Sequence, residues 1–170
     1  IWDEWFKRDY GRVFVDQFEN VISQMFGHGP QKCVSGRICG KALAIEFNGD
    51  LFSCDHFVYP KYKLGNVMNE SLSALVNSAQ QRAFGGAKSE RLPKFCRECE
   101  VRFACHGECP KHRFLTTPDG EPGLNYLCAG YKKFFRHIDP FMRRMSDLLR
   151  ARRAPAGIMT MLAEEERANG

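Results

Sequence analysis

The 170-residue sequence predicts a small α+β domain organised by metal, in which a short β-hairpin and cysteine-rich loops are flanked by amphipathic helices. Three observations predict it. All eight cysteines fall between positions 33 and 128 and spare both ends. An Asn48-Gly49-Asp50 turn separates two short apolar runs, and on either side apolar residues return at three- and four-residue intervals. With 44% apolar and 26% charged residues, the composition is that of one soluble globular domain. No apolar stretch approaches the roughly 20 residues of a membrane-spanning helix. The opening residues carry Asp3, Glu4 and Asp9 and lack a signal-peptide pattern, so a cytoplasmic setting without membrane attachment is expected. A charge of +5 spread over the chain is too thin to argue for nucleic acid.

From Trp2 to Phe26, the residues Trp5, Phe6, Val13, Phe14, Phe18, Val21, Ile22 and Met25 predict one amphipathic helix, ended by Gly27 and Gly29-Pro30. Its first aromatic residues, Trp2 to Phe6, suggest a face meant for another domain. The runs 42–47 and 51–54 predict the hairpin, with Asn-Gly supplying positive dihedrals and with Cys39 and Cys54 brought to one end. A helix is predicted from about Ser71 to Phe84, capped by Asn69 and stopped by Gly85-Gly86. The segment from Cys96 to Cys109 is too polar to build an apolar core, so metal bonds would replace one. A helix from about Asn125 then meets Asp139-Pro140, which kinks it or caps a fresh helix. Beyond Arg153 and Pro155, the segment from Ile158 reads as a marginal helix or a flexible tail. The predicted divisions are 1–29 as a connector, 30–149 as the cysteine-bearing domain and 150–170 as a basic and acidic tail.

In a chain without an export signal, the short Cys96-x2-Cys99 spacing favours metal or iron-sulfur ligation over disulfides. Eight thiols make two sets of four, the number that a tetrahedral ion or a cubane cluster needs. Cys33, Cys39 and Cys54 form one trio; Cys96, Cys99 and Cys105 form another. Proximity would give Cys109 to the second trio and Cys128 to the first, whereas a crossover would exchange them. Spacing alone leaves both open.

Cys39, nine residues, Gly49, four residues, Cys54, then Cys96-x2-Cys99-x5-Cys105-x3-Cys109 and a distant Cys128, resembles the seven-cysteine signature of the SPASM domain of radical S-adenosylmethionine enzymes. The additional Cys33 and the string from Asn48 to Pro60, followed by Tyr62-Lys63-Leu64-Gly65-Asn66, are similar to the anaerobic sulfatase-maturating enzymes. The resemblance covers about Cys33 to Leu149. It implies an oxidoreductase that converts a Cys or Ser of a sulfatase polypeptide to Cα-formylglycine, with an external electron carrier such as flavodoxin or ferredoxin as a partner. It further implies two auxiliary 4Fe-4S clusters, one on Cys33, Cys39, Cys54 and Cys109 and one on Cys96, Cys99, Cys105 and Cys128, which is the crossover.

S-adenosylmethionine and a third 4Fe-4S cluster would belong to a radical-SAM partial barrel. Its Cys-x3-Cys-x2-Cys motif is missing here, and Cys105-x3-Cys109-x2-His112 does not replace it. A complete eight-stranded β/α barrel takes about 250 residues, so the chain is expected to need that barrel as a partner and to be inactive alone. Asp55, directly after Cys54, is the candidate catalytic residue, since forming an aldehyde requires a base for the side-chain proton. The structural reading of Asp55 is an acceptor for backbone N–H groups at the hairpin end. His56 and His106 are read as surface groups or as hydrogen-bond partners of the sulfurs. The alternatives are a structural zinc module for protein or nucleic-acid interaction, with zinc also able to substitute in an aerobic preparation, and the SPASM domain of a different radical-SAM peptide-modifying enzyme.

Overall fold

The computed structural model describes residues 1–169. In chain order its elements are α1 (Trp2–Arg8), α2 (Asp16–Met25), β1 (Ala44–Ile45), β2 (Asp50–Phe52), β3 (Lys63–Asn66), α3 (Leu72–Val76), α4 (Ala79–Glu90), α5 (Lys94–Arg97), α6 (Arg102–Cys105), β4 (Leu115–Thr116), β5 (Pro122–Leu124), α7 (Cys128–Arg150) and α8 (Gly157–Asn169). The α+β class holds, with strands confined to one three-stranded and one two-stranded antiparallel sheet. Two compact units divide the chain: Ile1–Gln31 with Gly130–Gly170, and Lys32–Ala129, which carries every cysteine.

In the first unit, the single helix expected over Trp2 to Phe26 is broken in two. The backbone N–H groups of Asp9 and Tyr10 both close on the Trp5 carbonyl, and Gly11 turns into the left-handed region at φ +77°, which ends α1. Val13 and Phe14, expected on the apolar face, fall in the connection and are exposed. Trp2, Trp5 and Phe6 do not wait for another domain, because they are buried within this unit. The Trp2 ring stands edge-on to Phe18 at 4.7 Å and lies 6.0 Å from Phe141. Helix α7 runs unbroken through Pro140, so no fresh helix starts there, and it buries Phe135, Ile138, Met142, Met145 and Leu148. The tail segment forms α8, with Ile158 fully buried. Arg143 and Arg150, both exposed, pair with Asp139 and Asp147 on the solvated face of α7.

In the second unit, the hairpin forms with register Ala44↔Phe52 and Ile45↔Leu51. Its turn is longer than a two-residue one. Glu46 N–H bonds the Asp50 carbonyl, Gly49 N–H bonds the Glu46 carbonyl, and only Gly49 has a positive φ, +85°. A third strand joins, β3 pairing with β2, and Asp50 is held there by Lys63 Nζ at 2.7 Å and Asn66 Nδ2 at 2.9 Å. The segment leading into β3 folds into a 3-10 turn, Pro60–Tyr62, whose Tyr62 ring packs edge-on to Phe57 and Phe84.

The helix expected over 71–84 is also two helices, capped by Ser71 on the N–H of Ala74 and by Ser78 on the N–H of Gln81, each at 3.1 Å. Asn69 is not the cap. Gly85-Gly86 does not stop α4, which continues to Glu90. A Cβ at Gly85 would lie 2.7 Å from the Cys39 carbonyl oxygen. Glycine is there because another stretch of backbone lies against the helix, not because the helix ends.

Candidate metal centre

All eight cysteines are free thiols. Three residues on one face of α4, Gln81, Gly85 and Lys88, spaced four and three apart, anchor the loops that carry the first trio. Gln81, buried, donates from Nε2 to the Gly40 carbonyl at 3.0 Å and the Ser53 carbonyl at 3.1 Å, fixing the residue after Cys39 and the one before Cys54. Gly85 receives Cys39, whose N–H donates to the Gly85 carbonyl at 3.1 Å. Lys88 is 1% exposed and donates from Nζ to the carbonyls of Cys33 and Val34, both at 2.8 Å. An apolar periodicity passes over these polar and small residues; a Gln-x3-Gly-x2-Lys face preceding a cysteine-dense segment is the signal that would have found them.

Alanine at a helical glycine ordinarily adds stability of about 1 kcal/mol. Gly85→Ala is expected to do the opposite here, costing about 1–3 kcal/mol by overpacking and displacing Cys39. The check is thermal unfolding together with iron and sulfide content, and a stabilised, fully loaded variant would contradict the contact.

Cys96 sits on α5, Cys105 closes α6, and Cys128 opens α7, its N–H bonded to the Asn125 carbonyl at 3.0 Å. Between Cys105 and Cys109, the residues His106, Gly107 and Glu108 are all left-handed, with φ of 46°, 72° and 53°. That turn reverses the chain and separates the two cysteines. Glu108 is buried, and its carboxylate accepts from Asn125 Nδ2 at 2.6 Å and lies 2.9 Å from His112 Nδ1. The turn preceding Cys109 is thereby tied to the segment preceding Cys128.

Burial raises the pKa of Cys39, and the negative charge of Cys109 and Cys33 raises it further; burial pushes Cys54 up to about 12, with Asp55 and Cys109 adding to it. Burial lifts Cys96 to about 11 with help from Cys128, Cys105 and Cys99, and Cys105 to about 11, opposed by a hydrogen bond from Gly107 and assisted by Cys128 and Cys99. Cys109 is thus among the charges acting on Cys39 and Cys54, and Cys128 among those acting on Cys96 and Cys105. Cys39, Cys54, Cys96, Cys105 and Cys109, each raised by burial, stay protonated at neutral pH until a metal displaces the protons. Among the described residues, no three His, Cys, Asp or Glu side chains close on a single-ion position. Eight soft sulfur donors, with the buried Lys88 bonded to the loop that carries Cys33, fit iron-sulfur clusters.

Asp55 is exposed at the start of a 3-10 turn, and its Oδ1 accepts from Cys54 Sγ at 3.2 Å and from the His56 N–H at 3.0 Å. The Cys54 hydrogen bond is the first cause of its lowered pKa, so it is a carboxylate at neutral pH. His56 Nδ1 lies 3.4 Å from Cys109 Sγ, the sulfur contact expected of it, whereas His106 contributes its backbone carbonyl to Arg113. Arg113, which sequence reasoning missed, bonds the carbonyls of Gly107 (2.8 Å), Lys88 (2.7 Å), His106 (2.9 Å) and Glu108 (3.1 Å).

Residues 33–100 match the SPASM family, an iron-sulfur cluster-binding domain. The serine-type anaerobic sulfatase-maturating enzyme of Bacteroides thetaiotaomicron is 48% identical over 164 residues, covering 96% of this chain and 40% of that protein. The serine-type enzyme of Klebsiella pneumoniae is 38% identical over 162 residues, 92% of this chain and 39% of that protein. The cysteine-type enzyme of Clostridium novyi is 29% identical over 138 residues, 79% of this chain and 36% of that protein. A solved structure described as native anSMEcpe with bound AdoMet and Cp18Cys peptide shares the fold at a TM-score of 0.73 and 23% identity, over 86% of this chain and 41% of that one. The chain thus spans about 40% of the length of the curated relatives it matches. Over residues 33–100 the chain matches the iron-sulfur cluster-binding SPASM domain, and over most of its length it is similar to the anaerobic sulfatase-maturating enzymes.

Proposed function

We propose that this chain is the auxiliary-cluster portion of a radical S-adenosylmethionine oxidoreductase that oxidises a serine or cysteine of a sulfatase polypeptide to Cα-formylglycine in a reducing cytoplasm. The observation that carries the reading is the gathering of eight free thiols in one unit of a chain 48% identical over 164 residues to a serine-type maturating enzyme. Cys33, Cys39, Cys54 and Cys109 hold one 4Fe-4S cluster, and Cys96, Cys99, Cys105 and Cys128 hold the second. A serine substrate is favoured, because the serine-type relatives stand at 48% and 38% identity against 29% for a cysteine-type one.

Clusters held by these cysteines would supply one-electron acceptors, with an external carrier such as flavodoxin or ferredoxin as the partner for the electron. This chain's own residues fix the thiolates through Gln81, Gly85 and Lys88, and present Asp55 at the edge of the first set. Converting a side-chain CH2–OH to an aldehyde removes one hydrogen atom from carbon, then one proton from oxygen and one electron. Asp55 Oδ1 takes the proton from oxygen.

The test is anaerobic incubation of the polypeptide, joined to the radical-SAM region with which it acts, with S-adenosylmethionine, a low-potential reductant and a serine-containing sulfatase peptide. Mass spectrometry is expected to show the two-hydrogen loss of an aldehyde. An unchanged peptide with fully loaded clusters would contradict the reading.

A further inference from the structure

We propose that Arg113 is a charge shared by the two clusters that raises the reduction potential of both, while Lys88 raises that of the first cluster alone. The inference rests on the cluster reading above and concerns two side chains that it leaves without a role in electron transfer.

Both are cations without an acidic partner. Lys88 is buried and spends two donors on the carbonyls of Cys33 and Val34. Arg113 makes four hydrogen bonds, each to a backbone carbonyl. Among the described residues, neither is paired with a carboxylate. The Glu108 carboxylate in the adjoining turn faces Asn125 and His112 instead. Both line a cleft of about 450 Å³ that also holds Lys61 and Arg91 and whose described lining contains no acid. Carbonyl dipoles orient a cation but leave its charge standing, and a desolvated charge without a counter-ion is costly. The missing negative charge is that of the thiolate sets: a 2+ cluster with four thiolates carries about −2, and about −3 after accepting one electron.

Their positions divide the work. Arg113 lies on the turn that separates Cys105 of the second set from Cys109 of the first, and a Cβ at Gly107 would meet its Nη2 at 2.8 Å. Glycine at that position lets the guanidinium rest on the pivot between the sets. The cysteines whose charge acts on Arg113 are Cys96 and Cys105 from one set and Cys39 and Cys109 from the other. Those acting on Lys88 are Cys39, Cys33 and Cys109, all of the first set. Because a fixed positive charge favours the more negative, reduced state, removing it lowers the potential.

The experiment is an anaerobic redox titration of the intact, reconstituted polypeptide, followed by electron paramagnetic resonance, with iron and sulfide measured on every sample. The Cys109→Ala signal pattern assigns each resonance to its cluster. Arg113→Met is expected to lower both potentials, with an about tenfold shift in the reduced-to-oxidised ratio at fixed potential, or 59 mV for one electron. Lys88→Met is expected to shift the first cluster alone, and Arg113→Lys, which keeps the charge, to leave both close to the unsubstituted values.

A role limited to holding backbone would lower cluster content in these variants without moving the potential of the clusters that remain. With iron and sulfide intact, unmoved potentials in Arg113→Met would overturn the proposal. If Arg113→Met does not assemble, Lys88→Met decides: a shift confined to the first cluster supports the division, and no shift or an equal shift of both refutes it. Absence of clusters from the unsubstituted protein would instead refute the cluster reading itself.

Discussion

Replacement of Cys109 by alanine empties the first thiol set and leaves the second loaded, so that iron and sulfide both fall to about half. The result runs against proximity in sequence, since Cys109 lies four residues after Cys105 and 55 after Cys54. Three left-handed residues, His106 to Glu108, turn the chain between Cys105 and Cys109. Cys109 then lies with His56, 3.4 Å from its sulfur, and its charge reaches Cys39 and Cys54. Alanine keeps Glu108 and its bond to Asn125, so the turn itself is retained. The spectroscopic signal lost in Cys109→Ala is expected to be the one lost in Cys39→Ala, and to persist in Cys128→Ala. Loss in Cys109→Ala of the signal that Cys96→Ala loses would instead restore the proximity partition.

Asp55→Asn is expected to lower formylglycine formation about 10²–10⁴-fold while leaving iron, sulfide and cluster spectra unchanged. Asp55 Oδ1 accepts from the Cys54 thiol at 3.2 Å. A cluster-bound thiolate has no proton to donate, so loading the first set frees that oxygen except for the His56 N–H. The carboxylate is exposed and therefore accessible to a peptide side chain. Asparagine preserves the size and the backbone acceptor but not the basicity, which separates acid-base work from a turn-holding role. Turnover equal to that of the unsubstituted enzyme would remove Asp55 from the proton transfer.

The parts legible in the sequence were those with a local signature. The eight cysteines, the Asn48-Gly49 hairpin and the sulfur contact of His56 each follow from spacing or from turn chemistry. The supports of the site were not legible, because they defy the rules that make sequences readable. Gln81 and Lys88 are polar residues at buried helical positions, satisfied only by carbonyls far away in the chain. Gly85-Gly86 has the composition of a helix stop, but Gly85 is a packing site for Cys39. Strand β3 carries Gly65, whose added Cβ would collide with Glu70 and Leu75, and its pairing with β2 is a tertiary event that no run of β-branched residues announces. The break after Arg8 was hidden because Val13 and Phe14 continue the apolar spacing without being buried.

Chemical analysis of the anaerobically reconstituted polypeptide, read together with its Mössbauer spectrum, tests the central claim most directly. Two four-thiol sites predict about eight irons and about eight sulfides per chain, all in 4Fe-4S form. Zinc at about two ions per chain with no sulfide, or a ceiling of about four irons after full reconstitution, would contradict it.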